Sequence, residues 1–298
     1  MKPILQTHTA YAYAKINLSL DILGTLPNGY HEVQMIMQSL QLHDTITLKT
    51  NTLPGITMTC SDTSLPVDEH NLAYRAAVLF CDTYGITDGL LLHLEKKIPI
   101  AAGLAGGSSD AAAVLRGLNE MYGSPATAGE LAALGVKLGA DVPYCLMFGT
   151  ALSEGIGERL TVLPAAPACH CLLVKPAAGA STKQIYTDYD ALVQTTDIAH
   201  PDTASLLAAL SEGNYKTLVT GLCNVLEPVT MRLVPEILTI KKTLQALDAD
   251  GVLMSGSGPT VFALFSDFDT AKHAEAHFLN TEYAPGTFLT ELYQPELG

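Results

Sequence analysis

The stretch KKIPIAAGLAGGSSDAAAVLRGL, residues 96–118, reads as the end of a strand, a glycine-rich loop and the start of a helix. LLLHLEKKIP (90–99) alternates like a strand and is stopped by Pro99, while SSDAAAVLRGLNEMYG (108–123) predicts a helix capped by serine and closed by Gly123. A helix start exposes backbone N–H groups and the positive end of its dipole, and glycines let an anion approach that backbone closely. The chemistry suits phosphate. Gly103, Gly106 and Gly107 can adopt positive φ, and Ser108 and Ser109 add hydroxyl donors at the cap. Asp110 would repel phosphate unless a cation lay between them, which points to Mg²⁺. A P-loop would need lysine where Ser108 stands, and the glycine spacing is not that of a dinucleotide fingerprint. The same loop also serves a chain that only needs a helix packed tightly on a strand.

On the N-terminal side, AYAKINLSLDIL (12–23) alternates so that Ala12, Ala14, Ile16, Leu18, Leu20 and Ile22 share one face. Tyr11, Tyr13, Lys15, Asn17, Ser19 and Asp21 share the other, which an ordinary strand would turn to water. Asn28-Gly29 signals a hairpin and puts Tyr30 and His31 on the strand returning toward Lys15 and Asn17. DTITLKT (44–50) reads as a further strand, and NLAYRAAVLFCDTYG (71–85) as a helix with Asn71 at its cap and Gly85 at its end. A short helix is expected at about 127–138.

On the C-terminal side, Asp141 in LGADVPYCLMF (138–148) follows a helix, and Val142-Pro143 disfavours further helix there. Its carboxylate reads equally as a turn cap and as a partly buried base. LPAAPA (163–168) marks the break between two domains, 1–163 and 164–298. Beyond it come a strand in CHCLLVKP (169–176), mostly helix over 203–247, and a strand–turn–strand in GVLMSGSGPTVFALF (251–265). Strands mixed with helices and partly joined by hairpins indicate α+β rather than a doubly wound parallel sheet.

The chain has 298 residues, 48% hydrophobic and 15% charged, with a net charge of −14 and no basic cluster, so a nucleic-acid partner is excluded as improbable on charge. No apolar run approaches the ~20 residues of a membrane span, and MKPILQTHTA (1–10) lacks the apolar core of a signal peptide. A cytoplasmic protein with no membrane partner is expected. The six cysteines form no zinc pattern and read as reduced core residues.

PIAAGLAGGSSDAA (99–112) and GSGPTVFALF (256–265) resemble the second and third motifs of the GHMP kinases, the family of galactose, homoserine, mevalonate and phosphomevalonate kinases. AKINLSLDILGTLPNGYHEV (14–33) and GADVPY (139–144) are similar to the members that act on a cytidine-diphosphate-linked methylerythritol, a small-molecule substrate. The resemblance implies a two-domain α+β fold with the active site in the cleft between domains, and transfer of the γ-phosphoryl of ATP, with Mg²⁺, to that acceptor's 2-hydroxyl. It implies Lys15 and Asp141 as the catalytic pair, with Asp141 accepting the proton. Its ATP loop covers Pro99, Ile100, Ala101, Ala102, Gly103, Leu104, Ala105, Gly106, Gly107, Ser108 and Ser109, with Asn71 and Lys96 near the adenine. Asn17, Tyr30, His31, Thr182 and Tyr186 are implied around the acceptor, the two tyrosines sandwiching its cytosine. Ala105 departs from the family, which usually has glycine there: either the position does not need positive φ or the loop is strained. A monomer or weak homodimer is expected. Another kinase of the family and an inactive binding module are the alternatives. GYHEV (29–33) speaks against the first and the presence of both Lys15 and Asp141 against the second.

Overall fold

The structure is a computed structural model that describes residues 6–27 and 29–295. Asn28 of the expected hairpin and the first five residues of the N-terminal stretch lie outside the described residues. The chain forms two compact units that are interleaved in sequence. One takes the residues up to Ala14, Leu42–Ile100 and Ala105–Met147; the other takes Lys15–Gln41, Ala101–Leu104 and the chain from Phe148 on. The expected boundary at 163 falls inside the second of these.

Strands β1 (Thr7–Thr25) and β2 (His31–Asn51) each contribute residues to both units. In the first unit β3 (Ile56–Cys60) runs parallel to β4 (Gly89–Glu95), which pairs antiparallel with β2 from Thr45↔Glu95 to Asn51↔Gly89. Its helices are α1 (Leu72–Tyr84), α2 (Gly106–Met121), α3 (Ala128–Leu138) and α4 (Val142–Met147), with α2 packed on the other three. Ile46, Leu48, Phe80 and Ala111–Leu115 are fully buried and form its core. The capping signals read for α1 hold. Asn71 Oδ1 accepts from Ala73 N, Gly85 ends α1 in the left-handed region at φ 65°, and Thr127 caps α3 through a reciprocal box with Glu130.

The second unit carries β5 (Thr150–Gly155), antiparallel to both β2 and β6 (Arg159–Val162), and a four-stranded antiparallel sheet. That sheet is β11 (Thr287–Glu291), β7 (His170–Val174), β10 (Val261–Phe265) and β9 (Gly251–Met254), in that order. Helices α5 (Thr182–Val193), α6 (Thr203–Glu212), α7 (Tyr215–Thr220), α8 (Glu227–Leu233), α9 (Glu236–Ala246) and α10 (Phe268–Leu279) complete it. A two-residue strand β8 (Cys223–Asn224), parallel to β1, interrupts the region expected to be helical.

Two expectations need correcting. The strand expected at 44–50 is the far end of the single strand β2. Its polar break at Gln38 is buried and satisfied: the amide donates to Tyr293 O at 2.9 Å and accepts from Thr150 Oγ1 at 2.6 Å, so the strand runs through. From Lys15 to Asp21 the polar face of β1 does not meet water, although Tyr11 on the same face is exposed. Lys15, Asn17, Ser19 and Asp21 are as buried as the apolar face. No helix among the described residues is long and apolar enough to cross a membrane.

Candidate active site

Helix α2 begins two residues before the expected serine cap, because Ala105 takes the left-handed conformation at φ 56° and stands as its N-cap. A non-glycine residue there costs about 1–2 kcal/mol. Of the two readings of this departure from the resemblance, the strained loop is the one the backbone shows. The first intrahelical amide is that of Ser109, donating to Ala105 O at 2.8 Å. The N–H groups of Gly106, Gly107 and Ser108 therefore point out of the helix start. The Ser109 hydroxyl is not a loop donor: it turns inward to Tyr13 O at 2.6 Å and Cys145 Sγ at 3.3 Å. Ser108 is half-buried, its Oγ 3.9 Å from where a Cβ on Gly139 would lie.

Beneath the loop sits a buried charge cluster that sequence spacing does not reveal. Lys96 Nζ donates to Asp44 Oδ2 and, at 3.2 Å, to Asp110 Oδ2. Asp44, fully buried on β2, accepts with its other oxygen from Lys97 N at 2.5 Å and Ile98 N at 2.7 Å, pinning the backbone that leads into Pro99. A Cβ on Gly106 would come within 2.9 Å of Lys96 Nζ, so the ammonium lies directly against the loop. Burial pushes Asp110 up to about 8, with Lys96 opposing and Asp44 adding to the shift. Burial pulls Lys96 down, but the Asp110 and Asp44 carboxylates outweigh it and hold the lysine above its usual range. Asp110 thus faces the interior, with Oδ1 lacking a hydrogen-bond partner among the described residues, and is not placed to offer a cation to phosphate.

Asp141 is half-buried immediately before α4, and its carbonyl accepts from Cys145 N at 3.1 Å. The expectation that Val142-Pro143 opposes helix is overturned: proline is tolerated in a first turn, where its missing N–H has no partner to lose. Among the described residues none is a hydrogen-bond or ion-pair partner of the Asp141 carboxylate. Asn71 has both side-chain ends committed, to Ala73 N and to Pro66 O.

In the second unit, the two glycine-rich turns touch. Ser255 Oγ donates to Gly103 O at 2.9 Å, and a Cβ on Gly103 would come within 2.3 Å of Ser255 O, so only glycine fits. Gly103 and Gly256 both have positive φ, 74° and 58°. Lys15 N donates to Leu104 O at 3.1 Å, and Lys15 Nζ donates to Asn17 Oδ1 at 2.6 Å. A Cβ on Gly256 would lie 3.3 Å from that Nζ, which places the turn's backbone over the Lys15–Asn17 pair. Asn224 braces the turn by donating to Met254 O and Gly256 O, both at 2.8 Å. Ala102 and Leu104 are core residues, whereas Ile100 is exposed and Ala101 is left-handed at φ 50°.

On α5, Thr182 and Tyr186 lie four residues apart and share a face. The Thr182 and Ser257 hydroxyls are 2.8 Å apart, and the Tyr186 ring lies 4.9 Å from the His31 ring. Tyr30 is exposed. The structure thus brings Lys15 to Asn17, and His31 to Tyr186.

Residues 71–149 match the GHMP kinases N terminal domain and residues 203–284 the GHMP kinases C terminal domain. A 4-diphosphocytidyl-2-C-methyl-D-erythritol kinase of Lachnoclostridium phytofermentans is 50% identical over 283 residues, covering 95% of this chain and 96% of the relative. The chain belongs to the GHMP kinase family. A kinase of the same name from Clostridium acetobutylicum is 45% identical over 90% of this chain and 93% of its own length. The crystal structure of a 4-(cytidine 5'-diphospho)-2C-methyl-D-erythritol kinase superposes with a TM-score of 0.81 at 33% identity, covering 96% of this chain and all of the other. Another GHMP kinase structure, the mevalonate kinase of L. major, shares the fold with a TM-score of 0.78 at 18% identity, over 100% of this chain and 99% of its own. The two-domain GHMP kinase fold expected from the sequence is therefore the fold of this chain.

Proposed function

We infer that this chain is an ATP-dependent kinase that phosphorylates the 2-hydroxyl of 4-diphosphocytidyl-2-C-methyl-D-erythritol, giving the 2-phosphate in the non-mevalonate isoprenoid pathway. The observation that carries the reading is 50% identity to a relative of that name across nearly the full length of both chains. The structure supports it with a glycine-rich loop at a helix start and a lysine–asparagine pair buried under a second glycine turn. We propose 1–163 and 164–298 as the two sequence halves; the two family matches fall on either side of that division.

In the proposed mechanism the outward amides of Gly106, Gly107 and Ser108 hold the ATP phosphates within the loop 99–109. Asn71 and Lys96 sit near the adenine. Asp141, whose carboxylate has no hydrogen-bond or ion-pair partner among the described residues, takes the proton of the attacking hydroxyl as oxygen bonds to the γ-phosphorus and ADP leaves. Lys15 offsets the negative charge that builds on the phosphoryl oxygens, and Asn17 orients the hydroxyl. Tyr30 and Tyr186 stack on the cytosine, with His31 and Thr182 on the same acceptor. Mg²⁺ suits a donor set of hard oxygens, the Ser108 hydroxyl beside ATP phosphate, and when bound would neutralise phosphate charge. We further propose a cytoplasmic monomer or weak homodimer without nucleic-acid or membrane partners, consistent with a net charge of −14. ADP release from Mg·ATP, measured with the cytidine-diphosphate acceptor, mevalonate, homoserine and no acceptor, tests the reading. Release should depend on the first alone.

A further inference from the structure

The face of α5 that carries Thr182 and Tyr186 carries a third residue one turn on, Asp190. His31 Nε2 donates to Asp190 Oδ1 at 2.8 Å, across 159 residues of chain. The His31 side chain is 13% exposed and Asp190 51%, so the imidazole is held while its carboxylate partner stands at the edge. Tyr186 packs on the same ring at 4.9 Å. One helix face thus fixes both the plane of the imidazole and one of its nitrogens. An ionised carboxylate can only accept, so Nε2 carries the proton, and in the neutral ring Nδ1 is left as an acceptor.

We propose that Asp190 is a positioning residue: it fixes the tautomer of His31 and thereby selects an acceptor whose base presents an amino group rather than a carbonyl. The inference rests on the function proposed above and extends it to a residue that the sequence reading did not single out. Cytosine offers an exocyclic amine that donates to Nδ1, whereas a uracil base offers a carbonyl at that place, lone pair against lone pair. With Asp190 removed the ring is free to take the other tautomer and donate, so the distinction fades while the groups that act on the phosphoryl stay in place.

The test compares kcat/KM for the cytidine-diphosphate acceptor and its uridine counterpart in wild type, Asp190→Ala and Asp190→Glu. Wild type should prefer cytidine. Asp190→Ala should lower that preference by about tenfold or more, mainly through KM, because a site built to pair with a substrate N–H loses its discrimination with the pairing. Asp190→Glu, which keeps a carboxylate on the same helix face, should retain most of it. A cytidine-to-uridine ratio unchanged in Asp190→Ala overturns the inference, whether or not overall activity falls, since a purely structural role lowers both acceptors together. If wild type turns over neither acceptor, the function reading fails and this inference with it.

Discussion

Lys15 Nζ donates to Asn17 Oδ1 at 2.6 Å on a strand face that is buried, with the backbone of Gly256 laid over the pair. A lysine held at 4% exposure with an uncharged partner is poised for a ligand that brings negative charge. This is the geometry that the role proposed for Lys15 requires.

Replacing Lys15 with methionine keeps its length and removes its charge. Lys15→Met should lower kcat by about 10²-fold or more, the scale for losing one preorganised group that stabilises transition-state charge. The Kd for ATP should change far less. Steady-state kinetics beside calorimetric titration of the nucleotide separate the two, and a near-normal kcat would remove Lys15 from the chemistry. Asp141→Asn should show the same split if its carboxylate takes the proton.

Adjacent loop positions should respond in opposite directions. Ala105 is left-handed at φ 56°, so Ala105→Gly should be neutral or stabilising by up to about 1 kcal/mol, relief of strain outweighing the added freedom of the unfolded chain. Gly106→Val drives a branched side chain against Lys96 Nζ, which Asp44 and Asp110 hold in place. It should raise the Kd for ATP by about tenfold or more, that is by at least about 1.4 kcal/mol. Thermal unfolding checks the first and nucleotide titration of the folded variant the second. Tight ATP binding by Gly106→Val would mean that the loop serves packing alone.

What was legible in the sequence was local. The caps at Asn71 and Gly85, the glycine loop and the alternation of β1 each lie within a few residues of their partners. What was not legible depends on distant partners. Asp44 meets Lys96 across 52 residues, Ser109 turns to Tyr13 across 96 and Asp190 meets His31 across 159. No spacing rule reaches that far. The polar face of β1 was readable as a pattern, but the cover over Lys15 and Asn17 comes from the second glycine turn, more than 200 residues later in the chain. The helix start at Ala105 was missed because serines advertise a cap, whereas here a strained alanine turns the chain and leaves Ser109 in the core.

The Asp110–Lys96–Asp44 cluster predicts a pH dependence. Because the folded-state value of Asp110 is raised to about 8, the native protein holds a proton that the unfolded chain has already released above the usual carboxylate range. That contribution to stability is complete below the unfolded value and is lost as pH rises toward and through about 8. Asp110→Asn, permanently uncharged and of similar size, should flatten the decline. Urea midpoints at pH 6 and pH 9 for both proteins measure it. An equal fall in the two would place the titrating proton elsewhere.

The claim that this chain phosphorylates the 2-hydroxyl of 4-diphosphocytidyl-2-C-methyl-D-erythritol is tested most directly by phosphorus NMR of the product formed with Mg·ATP. Carbon 2 of that acceptor bears the methyl group and no hydrogen, so a phosphate on its hydroxyl has no vicinal proton to couple to. The account predicts one new phosphomonoester signal, unsplit by protons, growing in step with ADP. A signal split by vicinal protons, or ADP formed with no new phosphomonoester on the acceptor, would contradict it.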